Sequence, residues 1–203
     1  MCKWIIILCM AFSATLSAQL RVLAFAGSTR EDSANKKLVA VAANQARQSG
    51  AYVTIIDLKD FPIAFYDGDL ESKEGMPAKA KELRKLMVHS DVILIASPEY
   101  NGSLSATLKN VLDWASRSEA GGSSRDAFAG KIFGLMSASP GQSGGARGLV
   151  HLRNIIENIG GTVISQQVVL PDAYNAFDAQ GCLKIEKIKQ EMKQLIQATL
   201  SPR

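Results

Sequence analysis

Five short aliphatic runs, each followed by a helix-forming stretch, constrain this chain more than any other feature. The runs occupy residues 20–26, 52–58, 91–96, 131–137 and 162–170. They are continuous rather than alternating, as strands buried on both faces must be. The first helix spans 35–48, with Leu38, Val41, Ala42 and Ala46 on one side and Gly50 beyond its end. Pro77 opens a second, ending near His89, with Ala80, Leu83 and Leu86 or Met87 facing inward. A third covers 104–116. Leu149, Leu152, Ile155, Ile156 and Ile159 mark a fourth, closed by Gly160 and Gly161. Ile185, Ile188, Met192, Leu195 and Ile196 mark the last. Residues 59–76 and 118–130 read as loops. Strands alternating with helices require a parallel sheet with right-handed crossovers and helices on both faces. The expectation is a single α/β domain over residues 19–203. It is a flavodoxin-like three-layer fold with a five-stranded parallel sheet in the order 2-1-3-4-5.

Bulk properties narrow the function. The chain of 203 residues is 47% hydrophobic, enough for a core, and carries a net charge of +4. Lys79, Lys81, Arg84 and Lys85, and later Lys184, Lys187, Lys189 and Lys193, fall at helical spacing opposite apolar residues. They read as solvated faces, and no interleaved aromatics support nucleic-acid binding. With two histidines, three cysteines and no C-x-x-C, a metal site or a Cys–His nucleophile is unsupported. His89 and His151 read as surface or capping residues. At the amino end, Lys3 precedes an apolar run, 4–12, followed by small residues to Ala18. Residues 1–18 thus resemble a signal peptide, although Leu16 fits a small-x-small cleavage site poorly. An N-terminal extension with Met10 as the true start is the alternative. The run is too short for a convincing membrane span.

In such a sheet, ligands bind beyond the carboxyl ends of the strands near the switch point. The loop after the first strand, Gly27 to Asn35, offers Ser28, Arg30, Ser33 and Asn35 at a helix amino terminus, where free N–H groups and the dipole favour anions. It is neither G-x-G-x-x-G nor a P-loop, Glu31 and Asp32 oppose an anion, and Ser33 also suits a plain helix cap. After the third strand, Pro98, Glu99, Tyr100, Asn101 and Gly102 offer a shaped turn, a flat ring and a two-way amide, suited to a planar heterocycle. After the fourth, Ser139, Gly141 and Gly144 lie in a small-residue turn that a ligand can approach closely.

Together, Gly27-Ser28-Thr29-Arg30 with Ser33 and Asn35, Ser97-Pro98-Glu99-Tyr100-Asn101-Gly102-Ser103, Leu108-Lys109-Asn110, Asp113-Trp114 and the 139–147 turn resemble the NADPH-dependent FMN reductase family, over roughly residues 20–200. The resemblance implies FMN as cofactor and NADPH or NADH as co-substrate. By it, Ser28, Arg30, Ser33 and Asn35 hold the phosphate. Pro98, Glu99, Tyr100, Asn101 and Gly102 line the isoalloxazine, and Ser139, Gly141 and Gly144 close its far side. Asp113 and Trp114 anchor their helix and support the ring loop. The chain departs from the pattern at Ser105 and Ala106, where relatives often carry proline and glycine. The implied reaction is ping-pong transfer from NAD(P)H through FMN to a small oxidised acceptor such as a quinone, an azo compound, free flavin or a metal oxyanion. No catalytic side chain and no metal are required. A flavodoxin-type electron carrier, or a cofactor-binding sensor, is the competing reading. Relatives form homodimers or homotetramers, and residues 59–76 and 118–130 are candidates to reach a partner or cover the site. Neither nucleic acid nor membrane is expected as a partner. Reduced nicotinamides favour the cytoplasm; export follows if 1–18 is a signal peptide.

Overall fold

The computed structural model describes residues 19–201, so the expectations for residues 1–18 lie outside the described residues. Strands β1 (Arg21–Ala26), β2 (Tyr52–Ile56), β3 (Val92–Ala96), β6 (Ile132–Ala138) and β7 (Thr162–Leu170) form one parallel sheet in the order β2-β1-β3-β6-β7. That is the 2-1-3-4-5 order expected. Alternate residues of each strand feed opposite cores. Val22, Ala24, Val92, Leu94 and Met136 pack beneath α1 (Ala34–Gln48) and α6 (Glu186–Leu200). Leu23, Phe25, Ile93, Ile95 and Phe133 pack beneath α3 (Ala78–Val88), α4 (Ala106–Ala115) and α5 (Ala146–Asn158).

Three segments differ from the sequence reading. Residues 59–76 are not all loop: a 3-10 turn at Leu58–Asp60 and helix α2 (Gly68–Glu74) lie there. Helix α2 buries no residue, so it leaves no apolar stripe to find; the Asp67 carboxylate caps it, accepting from Asp69 and Leu70. The loop after β3 is a hairpin of β4 (Glu99–Tyr100) and β5 (Ser103–Leu104). Asn101 and Gly102 form its tip, both at positive φ (52° and 79°), as two-residue hairpin turns demand. Residues 118–130 run from the end of α4 to the start of β6, at the amino edge of the sheet. Arg84 holds them there through the Arg117 carbonyl, Ser124 and Asp126. They lie opposite their own carboxyl-edge loops and cannot cover them.

Of the two roles the resemblance implies for Asp113 and Trp114, the buried Trp114 anchors its helix, but the support goes to a different segment. Asp113 pairs with Lys109 on the exposed side of α4. Trp114 donates its indole N–H to the Ala64 carbonyl, and Asn110 binds Ile63, Ala64 and Tyr66. The Leu108–Trp114 motif therefore pins the segment after β2 and does not support the ring loop. Among the described residues, no helix is long and apolar enough to cross a membrane.

Candidate active site

The loops after β1, β3, β6 and β7 converge on one cleft at the carboxyl edge of the sheet. The first of these loops begins at Gly27, where a Cβ would stand 2.9 Å from that of Leu108, so only glycine lets α4 pass so close to it. Ser105 joins the two: its hydroxyl caps α4 by accepting the Leu108 N–H at 3.1 Å and donates to the Gly27 carbonyl at 2.6 Å. The serine that departs from the family pattern thus supplies the helix cap itself.

At one end lies the amino terminus of α1, which has no acidic residue in its first turn. Ser33 is buried at the cap position, yet its side chain makes no capping bond. Glu31 and Asp32, which oppose an anion in the sequence, are paired with Lys59 at 2.5 Å and Lys37 at 2.6 Å; Asp32 and Lys37 line the cleft, so that carboxylate faces the site with its charge compensated. The Lys37 ammonium holds the Asp32 carboxyl below its ordinary range. Ser28 is buried, its hydroxyl accepts the Arg30 N–H at 3.3 Å, and the Arg30 side chain is exposed at the cleft.

Asn35 is used differently. Its Nδ2 donates to the Ala138 carbonyl and its Oδ1 accepts the Ala138 N–H, both at 2.9 Å. Asn35 thus welds α1 to the end of β6 while lining the cleft; this pair of bonds uses one of the two N–H groups of its amide.

The other end is built by the hairpin and the loop after β6. Pro98, Glu99, Tyr100 and Ser139 line the cleft; the Asn101–Gly102 tip and Gly141 and Gly144 do not. Tyr100 is half exposed. The Glu99 carboxylate turns away toward α5, accepting from Arg147 and the Gly148 N–H. Burial alone would raise its pKa, but the Gly148 N–H and the Arg147 guanidinium outweigh that and hold the carboxyl below its ordinary range. Gly145 stands at φ +91°, where a Cβ would lie 1.9 Å from the Ser137 hydroxyl, so the chain enters α5 hard against β6.

The sequence reading missed the loop after β7. Ala173, Tyr174, Phe177 and Asp178 line the cleft, with Tyr174 74% exposed at its lip. The signal was present, because this loop leaves the same carboxyl edge as the other three.

The comparisons agree with this geometry. The NADPH-dependent FMN reductase family matches residues 20–175. An NAD(P)H-dependent FMN reductase of Pseudomonas aeruginosa is 32% identical over 184 residues, covering 90% of this chain and 95% of that protein. An NADPH:quinone oxidoreductase of Arabidopsis thaliana is 34% identical over 182 residues, covering 87% and 88% respectively. The structure of FerB, a flavoenzyme NAD(P)H:(acceptor) oxidoreductase from Paracoccus denitrificans, superposes with a TM-score of 0.73 at 26% identity, over 89% of this chain and 97% of that one. With the motifs, the sheet order and the cleft all in agreement, the chain belongs to the NADPH-dependent FMN reductase family.

Proposed function

We propose that this FMN-dependent oxidoreductase seats its flavin in the carboxyl-edge cleft and passes electrons from NAD(P)H to a small acceptor of the quinone class. The phosphate lies at the amino terminus of α1, and the ring lies between the β4–β5 hairpin and the loop after β6. The observation that carries the reading is the α1 end: a largely buried cap serine whose hydroxyl makes no capping bond, an exposed guanidinium, and neighbouring carboxylates already paired with lysines. Such a set fits a phosphate dianion, which takes hydroxyl, guanidinium and helix N–H donors together. The quinone class is supported by the quinone oxidoreductases among its relatives.

FMN, when bound, supplies the two-electron hydride chemistry. What the protein contributes is position. Ser28, Ser33 and Arg30 hold the phosphate. Pro98 and Tyr100 offer flat surfaces to the ring, and Ser139 with Pro140 bounds the opposite side. The Asn35–Ala138 clamp joins α1 to the end of β6, and so holds the phosphate end of the cleft against the ring end. No side-chain acid or base is assigned. Assembly into a homodimer or homotetramer goes with this reading, as the family resemblance implies. A cytoplasmic location goes with it too, supported by the need for reduced nicotinamide.

The test is an absorbance spectrum of the purified full chain with FMN, before and after anaerobic NADPH. Bound flavin that bleaches is expected. Bound flavin that persists with either nicotinamide favours an electron carrier, and failure to bind FMN overturns the site.

A further inference from the structure

Helix α5 begins without a cap of its own. Its cap residue is Gly145 in the left-handed region, and its first turn carries no acidic residue. The missing acceptor comes from another element. Glu99, on β4, places Oε2 3.0 Å from the Gly148 N–H, and Oε1 3.0 and 2.8 Å from Nε and Nη2 of Arg147. The Glu99 side chain is only 7% exposed, whereas that of Arg147 is 70% exposed. The approach is close: a Cβ on Gly148 would stand 3.2 Å from the Ser103 carbonyl oxygen and 3.4 Å from the Glu99 Cβ. The second strand of the hairpin is tied to the same helix, with Ser103 Oγ 3.0 Å from His151 Nδ1.

We propose that Glu99 is a positioning residue for the flavin ring: its carboxylate locks the β4–β5 hairpin to the amino terminus of α5, and so fixes the gap between the two loops that grip the ring. The inference rests on the flavin reading above and goes beyond it. A carboxylate on a ring loop would ordinarily be assigned to hydrogen bonding with the ligand's edge. Here both oxygens are engaged by α5, so Glu99 acts through the hairpin it holds. Helix α5 starts where the 139–145 turn ends, so the same bonds restrain that turn. The phosphate end, built on α1, does not depend on them. A helix cap that served stability alone would leave ligand binding unchanged, which separates the two roles.

The experiment compares dissociation constants of FMN and of riboflavin, which lacks the phosphate, for the full-length wild type and for Glu99→Ala, Glu99→Gln and Arg147→Ala. Glu99→Ala is expected to weaken both ligands by a common factor on the order of tenfold, leaving their ratio unchanged. Glu99→Gln recovers part of the loss, because its amide oxygen still accepts the Gly148 N–H. If Glu99→Ala does not fold, Arg147→Ala, altered on the exposed side of the pair, is expected to show the same parallel loss to a smaller degree. Affinities within about twofold of wild type in the folded variants, whatever the change in melting temperature, overturn the inference. Loss confined to FMN overturns it as well, by placing Glu99 in the phosphate site. A wild type that binds neither ligand overturns the flavin reading itself, and this inference with it.

Discussion

At the α1 end of the cleft the Ser33 hydroxyl caps nothing and the Arg30 side chain lies exposed, whereas at the α5 end Glu99 accepts from Arg147 and Gly148. Both ends are helix amino termini in the same sheet edge, yet one has its donors open and the other has them engaged. The difference follows from which carboxylates can reach them. Glu31 and Asp32 sit beside α1 but are paired with Lys59 and Lys37 rather than with the helix terminus. Glu99 reaches α5 from a hairpin strand and satisfies it. A helix terminus is therefore no site in itself; it becomes one only where the fold keeps its own anions away. Asn35 marks the boundary, two residues from Ser33 but bonded through both ends of its amide to Ala138.

That boundary gives the largest expected effect. Asn35→Ala leaves the N–H and carbonyl of Ala138 without their side-chain partner in a buried position, which costs about 2–3 kcal/mol. Thermal unfolding of the apoprotein should fall by roughly 5–10 °C. A fall in FMN affinity without any change in melting temperature would return Asn35 to the phosphate set and erase the boundary. Arg30→Ala is the complementary change. It should weaken FMN roughly ten- to hundredfold while sparing riboflavin and the melting temperature of the apoprotein. Equal loss for both ligands would mean that the phosphate lies elsewhere.

The same contrast decides what could be read from the sequence. The sheet order was legible because five aliphatic runs of parallel-strand type admit few arrangements. The anion character of residues 27–35 was legible because hydroxyls and Arg30 stand together in the chain. Engagement was not legible, because it is non-local: Asn35 meets Ala138 from 103 positions away, and Glu99 meets Gly148 from 49. The hairpin was missed although Asn101-Gly102 is its ordinary turn pair, because its strands are two residues long and show no alternation. Helix α2 was missed because it buries no residue fully and has one apolar side chain, Leu70, packed against Trp114 and its neighbours; Glu71 ties it to Arg117 at 2.8 Å. The resemblance implied that Trp114 supports the ring loop, but its indole donates to the Ala64 carbonyl, a contact 50 positions away in the chain.

Acid sharpens the comparison from the engaged side. Glu99 has a folded pKa below its unfolded value, so its contribution to stability is complete above the ordinary glutamate range and is lost as pH falls through the lowered value. The stability gap between wild type and Glu99→Gln should therefore be level near neutrality, at about 1–2 kcal/mol, and close on acidification. Denaturant unfolding of the two apoproteins at a series of pH values measures it. A gap that stayed constant down to the acid limit would mean that the carboxylate charge adds nothing to the Arg147 and Gly148 bonds.

The smallest effect is the most diagnostic of the open end. A serine at a helix cap normally contributes about 1 kcal/mol through its hydroxyl. Ser33 makes no such bond, so Ser33→Ala should change the melting temperature of the apoprotein by less than an ordinary cap deletion would. The same change removes one donor from the proposed phosphate and should weaken FMN about fivefold, near 1 kcal/mol, with riboflavin unaffected. The opposite pattern, full destabilisation with FMN affinity intact, would show that the hydroxyl closes onto α1 in solution. The α1 terminus would then be engaged like that of α5, and Ser28 and Arg30 would be left to hold the phosphate.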